Sequence, residues 1–321
     1  MKLDWNLALG RRGFNSYSWT PLQKGFIMVT RFRVGKLFVI IALLGPAMAM
    51  LLGFTLYPFI YNIRLSLTYF PLYAPWRQVY VGLENYLSIL GDIEFWKSIE
   101  STVAIVFGAL ALEFLIGLGV ALVLNEKFRG RGVVRALFII PMAIMPVTAG
   151  LVWKLMLFPG GSLISDILVK LRLARGELDF WGDPFLSRLS IMAVDIWSWT
   201  PFLGLILLAG LQAIPGELYD AAQVDGASQL QRFLHVTFPL LKYAIIIALL
   251  FRGMDLLRLF DQVYMMTEGG PGQATETISF FIYRKSFKEF TIGFGAAVSV
   301  IVFAVVFLVS YFTVRKSGIS V

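Results

Sequence analysis

Long apolar segments are the feature that most restricts what this sequence can fold into. Hydrophobic residues make up 58% of the chain and charged residues only 15%, whereas soluble domains carry about 25% charged residues. A helix of roughly 20 residues crosses the hydrocarbon core of a bilayer. The apolar segments that reach this length cover residues 37–63, 98–124, 136–158, 190–210, 243–262 and 293–314. We therefore predict an all-α membrane protein with six transmembrane helices in one domain, residues 37–315.

Basic residues are concentrated in some of the segments between these predicted helices. Residues 1–36 contain seven Lys and Arg against one acid, and residues 125–135 contain four more. Because cytoplasmic segments next to spans are enriched in Lys and Arg, we place both segments in the cytosol. Alternation then predicts a basic cytosolic N-terminal segment over 1–36, further cytosolic segments at 211–242 and 316–321, and outer loops at 64–97, 159–189 and 261–292. Membrane orientation, rather than nucleic-acid binding, accounts for the net charge of +8.

Residue types that common enzyme chemistry needs are scarce. The chain has no cysteine and one histidine, His235, which excludes thiol nucleophiles and Cys/His metal sites. The sequence contains no phosphate-binding loop of the form G-x-x-x-x-G-K-[ST]. We therefore expect a protein that is not an enzyme and that binds no metal or cofactor itself. If ATP drives this protein, ATP and Mg²⁺ bind to another chain.

A polar stretch at residues 215–241 interrupts the apolar pattern. Pro215 suits the first position of a helix, the Asp225-Gly226 pair predicts a tight turn, and Pro239 is expected to limit a second helix. We interpret the stretch as a hairpin of two short helices facing the cytosol, with His235 as a surface residue on the second helix. Such a rigid hairpin predicts a docking surface for a soluble partner.

Several charged residues fall inside the predicted spans, where an ionised group costs about 2.5–3.5 kcal/mol on insertion scales. They are Glu113, Lys154, Asp195, Arg252, Asp255 and Arg258. Arg252, Asp255 and Arg258 are three residues apart, so each neighbouring pair can form an ion pair on one helix face. Two interpretations stay open at this point: an internal ladder of ion pairs, or the polar wall of a substrate cavity. Glu113 and Asp195 would also suit an ion-coupled secondary carrier, although no internal repeat typical of such carriers is visible.

Aromatic residues near the span ends have two possible uses. Trp and Tyr form belts at the level of the lipid headgroups, and aromatic rings also stack on sugar rings. The candidate residues for a substrate path are Trp153, Asp195, Trp197, Arg252, Asp255 and Arg258.

Two motifs resemble a known family. The first lies in the hairpin and comprises Asp220, Ala221, Ala222, Asp225, Gly226, Ala227, Phe233 and Pro239. The second lies in the last predicted outer loop and contains Gly269, Gly270 and Pro271. With these motifs, residues 40–315 resemble the permease subunits of bacterial ATP-binding cassette (ABC) sugar importers of the maltose and glycerol-phosphate group. The second motif is similar to that of the first of the two permeases in such systems. Asp220 replaces the usual Glu, and Tyr243 stands where many members have Pro.

The resemblance implies a fold, a location and a set of partners. The fold would be that of a type I ABC importer permease in the bacterial cytoplasmic (inner) membrane, with both termini in the cytosol. The hairpin at 215–241 would couple the spans to two ATP-binding subunits. A second homologous permease, membrane lipid and an external solute-binding protein would complete the environment. The expected substrate is a di- or oligosaccharide, and an acidic sugar stays open as an alternative.

Overall fold

The structure is a computed structural model that describes residues 33–317. Most of the predicted N-terminal segment 1–36 and of the tail 316–321 lies outside these residues. The described chain is mostly helical. Its α-helices are α1 Arg33–Ser66, α2 Glu84–Gly91, α3 Ile93–Asn125, α4 Arg131–Ile139, α5 Pro146–Met156, α6 Leu163–Lys170, α7 Pro184–Gln212, α8 Gly216–Val224, α9 Gln229–Arg232, α10 Phe238–Leu256, α11 Asp261–Met266, α12 Ile278–Tyr283 and α13 Ile292–Ser317.

A small antiparallel hairpin follows α1. Its strands, β1 (Thr68–Tyr69) and β2 (Val79–Tyr80), pair with Thr68 opposite Tyr80. Residues up to Ile60 and residues from Tyr61 onward form separate units and are described separately. The helical part of the first unit is the run of α1 up to Ile60, where most of the described side chains are exposed. All contacts described below lie within the second unit.

Five stretches of helix are long and apolar enough to cross a membrane, and they confirm five of the predicted spans. They cover Ile40–Ser66, Ile93–Asn125, Pro184–Gln212, Gln229–Leu256 and Ile292–Arg315. The predicted span at 136–158 is not one straight helix. It is a pair, Arg131–Ala143 and Pro146–Met156, bent by 93°. The bend follows from Pro141 and Pro146, which lack the backbone N–H that a continuous helix needs. The described chain therefore has six spans if this bent pair crosses as one.

Helices α3 and α7 form the centre of the second unit and pack along each other. The two backbones come close together at Gly117 and Gly204, where a Cβ on Gly117 would lie 3.2 Å from the backbone nitrogen of Gly204. Small residues allow this contact because helices in lipid associate chiefly through close packing. On the side where α10 joins them, the contact buries Ala121, Leu124, Leu203, Leu207, Leu208, Leu211, Leu241, Ile245 and Ala248.

Helix α10 ends earlier than the apolar pattern predicts. The predicted span at 243–262 contains a break after Leu256, and α11 starts at Asp261. Helix α11 packs against α5 and α7, and Val263 and Met266 join a core with Ile105 and Ile191. The turn between α10 and α11 thus directs the chain back into the helix bundle.

Candidate functional site

The polar hairpin forms with the predicted turn at Gly226. Helix α8 ends at Val224 with Asp225 as its C-cap, and Gly226 has φ +75°, a conformation that costs little only for glycine. The backbone N–H of Ala227 donates to the carbonyl of Ala222 at 2.9 Å and closes the turn. Pro215 is the N-cap residue of α8, so the helix starts one residue later than predicted. The turn itself agrees with the prediction.

Ser228 starts the second helix of the hairpin. Its hydroxyl accepts from the N–H of Gln231 at 3.3 Å, while the amide oxygen of Gln231 accepts from the N–H of Ser228 at 2.8 Å. These two bonds form a capping box. Neither Asp220 nor Asp225 caps a helix with its side chain among the described residues. The S-x-x-Q spacing was the sequence signal for this cap, and our sequence analysis missed it.

The second helix continues into the candidate span formed by α10, which contradicts the predicted role of Pro239. Helix α9 passes through a π-helical turn, Phe233–Thr237, into α10 without a break. Pro239 occupies the first turn of α10, where a missing N–H is tolerated. The hairpin is therefore joined rigidly to the span of α10 rather than separated from it.

The motif residues of the hairpin are largely available for contact. Asp220, Ala221, Asp225, Gly226 and Pro239 are exposed, whereas Ala222, Ala227 and Phe233 are partly buried. A recess of about 320 Å³ is lined by residues that include Ala222, Gly226, Ala227 and the exposed His235.

Internal bonds keep the hairpin in one conformation. The hydroxyl groups of Tyr219 and Thr237 are 3.0 Å apart, and Arg232 Nη1 donates to Gln223 Oε1 at 3.4 Å. The hairpin thus offers a preformed concave surface.

A cluster of charged residues joins the helices inside the bundle. The Arg252 side chain is 1% exposed, and those of Glu113 and Asp195 are equally enclosed. Arg252 Nε donates to Glu113 Oε2 at 2.8 Å and Nη2 donates to Glu113 Oε1 at 2.9 Å, a two-bond contact between α10 and α3. Arg252 Nη2 also donates to Asp195 on α7. The guanidinium lies 5.2 Å from the ring centre of Trp199. One cation therefore connects three helices.

The predicted ladder of ion pairs on α10 is only half formed. Arg252 Nη1 donates to Asp255 Oδ2 at 2.5 Å, but Arg258 forms no ion pair among residues 33–317. Arg258 falls in the turn after α10, where its N–H donates to the Asp255 carbonyl and its side chain is exposed. The sequence spacing assumed one continuous helix, and the helix ends at Leu256. The contact of Arg252 with Glu113, 139 residues away, left no local sequence signal.

The two tryptophans proposed for the substrate path lie next to each other. The rings of Trp153 on α5 and Trp197 on α7 are 5.9 Å apart. Trp197 is 38% exposed and Trp153 is partly buried. The next residue on α5, Lys154, lines a small pocket of about 230 Å³ with Trp181, Thr267, Gly270 and Pro271 among others. The structure thus brings a basic residue, next in sequence to one of the paired tryptophans, to the Gly269-Gly270-Pro271 loop.

Two threonines close that loop. The hydroxyls of Thr267 and Thr275 are 2.7 Å apart, and the Thr275 hydroxyl donates to the carbonyl of Gly270 at 2.7 Å. Gly269 has φ +87°. Lys288, which follows α12 in the sequence, contacts Glu268 at 2.6 Å, and this hydrogen bond holds the pKa of the Glu268 carboxyl below its usual range. The loop is held by hydrogen bonds at its base and an ion pair at its edge.

Among residues 33–317, no group of three or more His, Asp or Glu side chains is arranged to hold a metal ion. The acidic residues around Arg252 are instead occupied by its guanidinium.

Residues 102–317 match the family described as the inner membrane component of binding-protein-dependent transport systems. The chain is 39% identical to the trehalose/maltose transport system permease protein MalF of Thermococcus litoralis, over 89% of this chain and 96% of that protein. It is 34% identical to the trehalose transport system permease protein SugA of Mycobacterium tuberculosis, over 86% of this chain and 87% of that protein. It is also 34% identical to the sulfoquinovosyl glycerol transport system permease protein SmoG of Agrobacterium fabrum, over 84% of this chain and 87% of that protein.

The fold has a counterpart among solved structures. A chain of a bacterial ABC transporter involved in the import of the acidic polysaccharide alginate superposes with a TM-score of 0.76 at 22% identity, over 88% of this chain and 96% of that one. This likeness confirms the predicted importer permease fold. On the sequence match and the fold together, the chain belongs to the family of inner membrane components of binding-protein-dependent transport systems.

Proposed function

We propose that this protein is a permease subunit of an ATP-driven carbohydrate importer and forms part of the translocation path for a di- or oligosaccharide. The observation that carries the proposal is the match along most of the chain to permeases named for trehalose, maltose and sulfoquinovosyl glycerol transport. The alternative of an ion-coupled secondary carrier finds no support, because the family works with binding proteins.

The hairpin supplies the mechanical link in this proposal. The sequence has no phosphate-binding loop. In the proposed importer, two partner subunits would bind ATP and Mg²⁺. Their closure on ATP would pull the exposed residues of α8 and the turn at Gly226. Because α9 runs without a break into α10, this displacement passes directly to a span that holds Arg252. Rocking of the spans would then alternate access from the two sides of the membrane.

The other proposed partners follow from the same assignment. A second homologous permease would complete the path, and an external solute-binding protein would deliver the sugar to the outer loops. The protein would lie in the inner membrane with both termini in the cytosol, which agrees with the basic segments 1–36 and 125–135.

Substitution in the hairpin tests the coupling role. Gly226→Val forces a branched side chain into φ +75° and distorts the turn, so we expect sugar uptake to fall at least about tenfold while basal ATPase activity of the partners persists. Gly119→Val on α3 is the matched control, because it lies outside the hairpin, and a Cβ at exposed Gly119 meets nothing within 4 Å. Asp220→Arg changes only an exposed charge and should uncouple transport without affecting assembly. Unchanged transport and coupling in both Gly226→Val and Asp220→Arg would refute the docking role.

The charge of the sugar is the open part of the proposal. An acidic sugar would be favoured by the pocket that contains Lys154 and the indole N–H of Trp181, which is buried without an acceptor among the described residues. ATPase stimulation of the complex should be measured with the solute-binding protein loaded with neutral or acidic sugars. An acidic sugar would be supported if acidic sugars stimulate the ATPase activity of the wild-type complex and Lys154→Met abolishes this stimulation. Stimulation by neutral sugars alone would exclude it.

A further inference from the structure

The loop that contains Gly269-Gly270-Pro271 continues into a buried segment, residues 274–278. Buried backbone groups need hydrogen-bond partners, and this segment finds partners on other helices. The carbonyl oxygen of Ala274 accepts from Ser101 Oγ on α3 at 2.8 Å and from Arg188 Nε on α7 at 2.6 Å. One carbonyl oxygen thus connects the loop to both central helices of the second unit.

The next residues of the same segment hold the end of α10. The last carbonyl groups of a helix have no partner within the helix. The carbonyl of Leu257, the C-cap residue of α10, accepts from Ser279 Oγ at 3.0 Å. The carbonyl of Leu259, in the turn that follows, accepts from Thr277 Oγ1 at 2.7 Å. Two hydroxyl groups therefore bridge the loop to the end of α10.

Helix α10 connects these two bridges to the hairpin. The helical run Gln229–Leu256 starts in the hairpin and has 28 residues, a length of about 42 Å at 1.5 Å per residue. Near its C-terminal end, Arg252 bonds it to Glu113 and Asp195. Rigid helices and hydrogen-bond networks carry energetic coupling between distant sites. The loop and the hairpin are thus joined by one continuous set of contacts.

We propose that Thr277 and Ser279 are positioning residues that transmit docking of the external solute-binding protein on the loop, through α10, to the hairpin. This inference rests on the proposed function. The loop offers the exposed residues Glu268 and Gly272 to a partner, while its buried end carries the two bridges.

The hydroxyl groups are the parts of this connection that fix its register. The rings of Phe260 and Phe280, 6.1 Å apart, also pack between the turn after α10 and α12. Apolar contact is non-directional and tolerates sliding, whereas a hydrogen bond weakens steeply when its angle changes. Removing the hydroxyls should therefore loosen α10 from the loop without altering the exposed surface on which the partner docks.

The test is ATPase stimulation of the assembled transporter by its solute-binding protein. The binding protein is loaded with trehalose, maltose or an alginate oligosaccharide, whichever stimulates the wild type most. The double variant Thr277→Val/Ser279→Ala removes both bridges. We expect its maximal stimulation to fall about fivefold or more. Basal ATPase activity and the binding-protein concentration for half-maximal stimulation should stay at wild-type values. Thr277→Ser keeps the hydroxyl and should keep the stimulation.

The matched control makes the same two exchanges where the hydroxyls bridge nothing. In Thr313→Val/Ser299→Ala the lost bonds run to carbonyls four residues earlier within α13, so stimulation should stay at the wild-type level. Because Thr277 also caps α12, Ser279→Ala is measured alone as well. It removes one bridge and leaves the cap intact, and we expect a partial loss of stimulation.

Three results would overturn the proposal. The first is wild-type stimulation in Thr277→Val/Ser279→Ala. The second is a fall of basal and stimulated activity in equal proportion, which indicates a purely structural role. The third is a higher binding-protein concentration for half-maximal stimulation, which indicates an altered docking surface. If the double variant does not assemble, unchanged stimulation in Ser279→Ala refutes the bridge. A wild-type transporter that none of the three sugars stimulates would instead refute the proposed function, and this inference with it.

Discussion

At the scale of single residues, Arg252 decides how the charged groups inside the bundle coexist. Its guanidinium satisfies both oxygens of Glu113 and one carboxylate oxygen of Asp195. Burying these groups without each other would leave uncompensated charges, and removing one partner of a buried ion pair costs about 3–5 kcal/mol. The cluster is thus strong evidence for a fixed relation between α3, α7 and α10. Only Asp255, half exposed, extends it toward the surface.

Replacing Arg252 by Met should lower the stability of the protein by about 3–5 kcal/mol, since two buried carboxylates lose their partner. Thermal unfolding of the purified transporter, followed by size-exclusion fluorescence, measures the loss. Arg258→Met is the control, because the Arg258 side chain is exposed, and it should change stability by at most about 0.5 kcal/mol. Adding Glu113→Gln and Asp195→Asn to Arg252→Met should restore part of the loss. Equal midpoints for Arg252→Met and Arg258→Met would contradict this account.

The ion pair of Glu268 and Lys288 predicts a small dependence on pH. Because the pKa of Glu268 is lowered by Lys288, its contribution is complete above the usual glutamate pKa and is lost as pH falls through the lower value. Both side chains are substantially exposed, so screening limits the effect to at most about 0.5 kcal/mol. Glu268→Gln should speed hydrogen exchange in the 267–273 loop near neutral pH, relative to wild type. Once both proteins are acidified below the Glu268 pKa, the difference should vanish. If the difference in hydrogen exchange persisted in acid, it would have a cause other than the ion pair of Glu268 and Lys288.

At the scale of helices, the close crossing of α3 and α7 explains why glycines stand in the middle of apolar spans. Gly117 and Gly204 remove the side chains that would keep the two backbones apart. The ring of Phe138 fills the remaining space, since a Cβ on Gly204 would lie 3.0 Å from its Cε1 atom. This crossing brings Glu113 and Asp195, which lie on the same two helices, within reach of Arg252.

Gly117→Val should destabilise the bundle by about 1–3 kcal/mol, because the new side chain overlaps the backbone of α7. Gly119→Val provides a control on the same helix, since a Cβ there meets nothing within 4 Å. The same thermal assay applies to both variants. If both lose the same amount, the effect reflects helix propensity alone, and the crossing does not require glycine.

At the scale of the whole molecule, orientation in the membrane decides which surfaces meet which partners. The chain has no cysteine, so single cysteines can be introduced without removing native ones. Lys127→Cys lies in an exposed part of the predicted cytosolic segment 125–135, and Leu173→Cys is exposed in a predicted outer loop. A membrane-impermeant maleimide should label Leu173→Cys in intact cells. It should label Lys127→Cys only after the membrane is permeabilised. If the two labelling results were reversed, the predicted orientation would be wrong and the helical hairpin at 215–241 would lie outside the cell.

Local patterns in the sequence were enough for much of the architecture. Apolar length located the five unbroken spans, and the Asp225-Gly226 pair located the turn between α8 and α9. Proline gave a weaker signal. The same residue type bends the chain before α5 but is accommodated at Pro239 in the first turn of α10. The position of a proline within a helix, which depends on where the helix starts, separates these outcomes.

Composition, apolar periodicity and turn chemistry by themselves determined that this chain is helical, spans a membrane and carries a polar hairpin, because each depends on interactions between near neighbours in sequence. The tertiary structure alone decided that Arg252 pairs with Glu113 and Asp195 and that Arg258 does not extend the ladder. It also decided that two side-chain nitrogens of Arg135 are buried without an acceptor among residues 33–317. These outcomes depend on how helices far apart in sequence pack, and therefore on which charges are removed from water together.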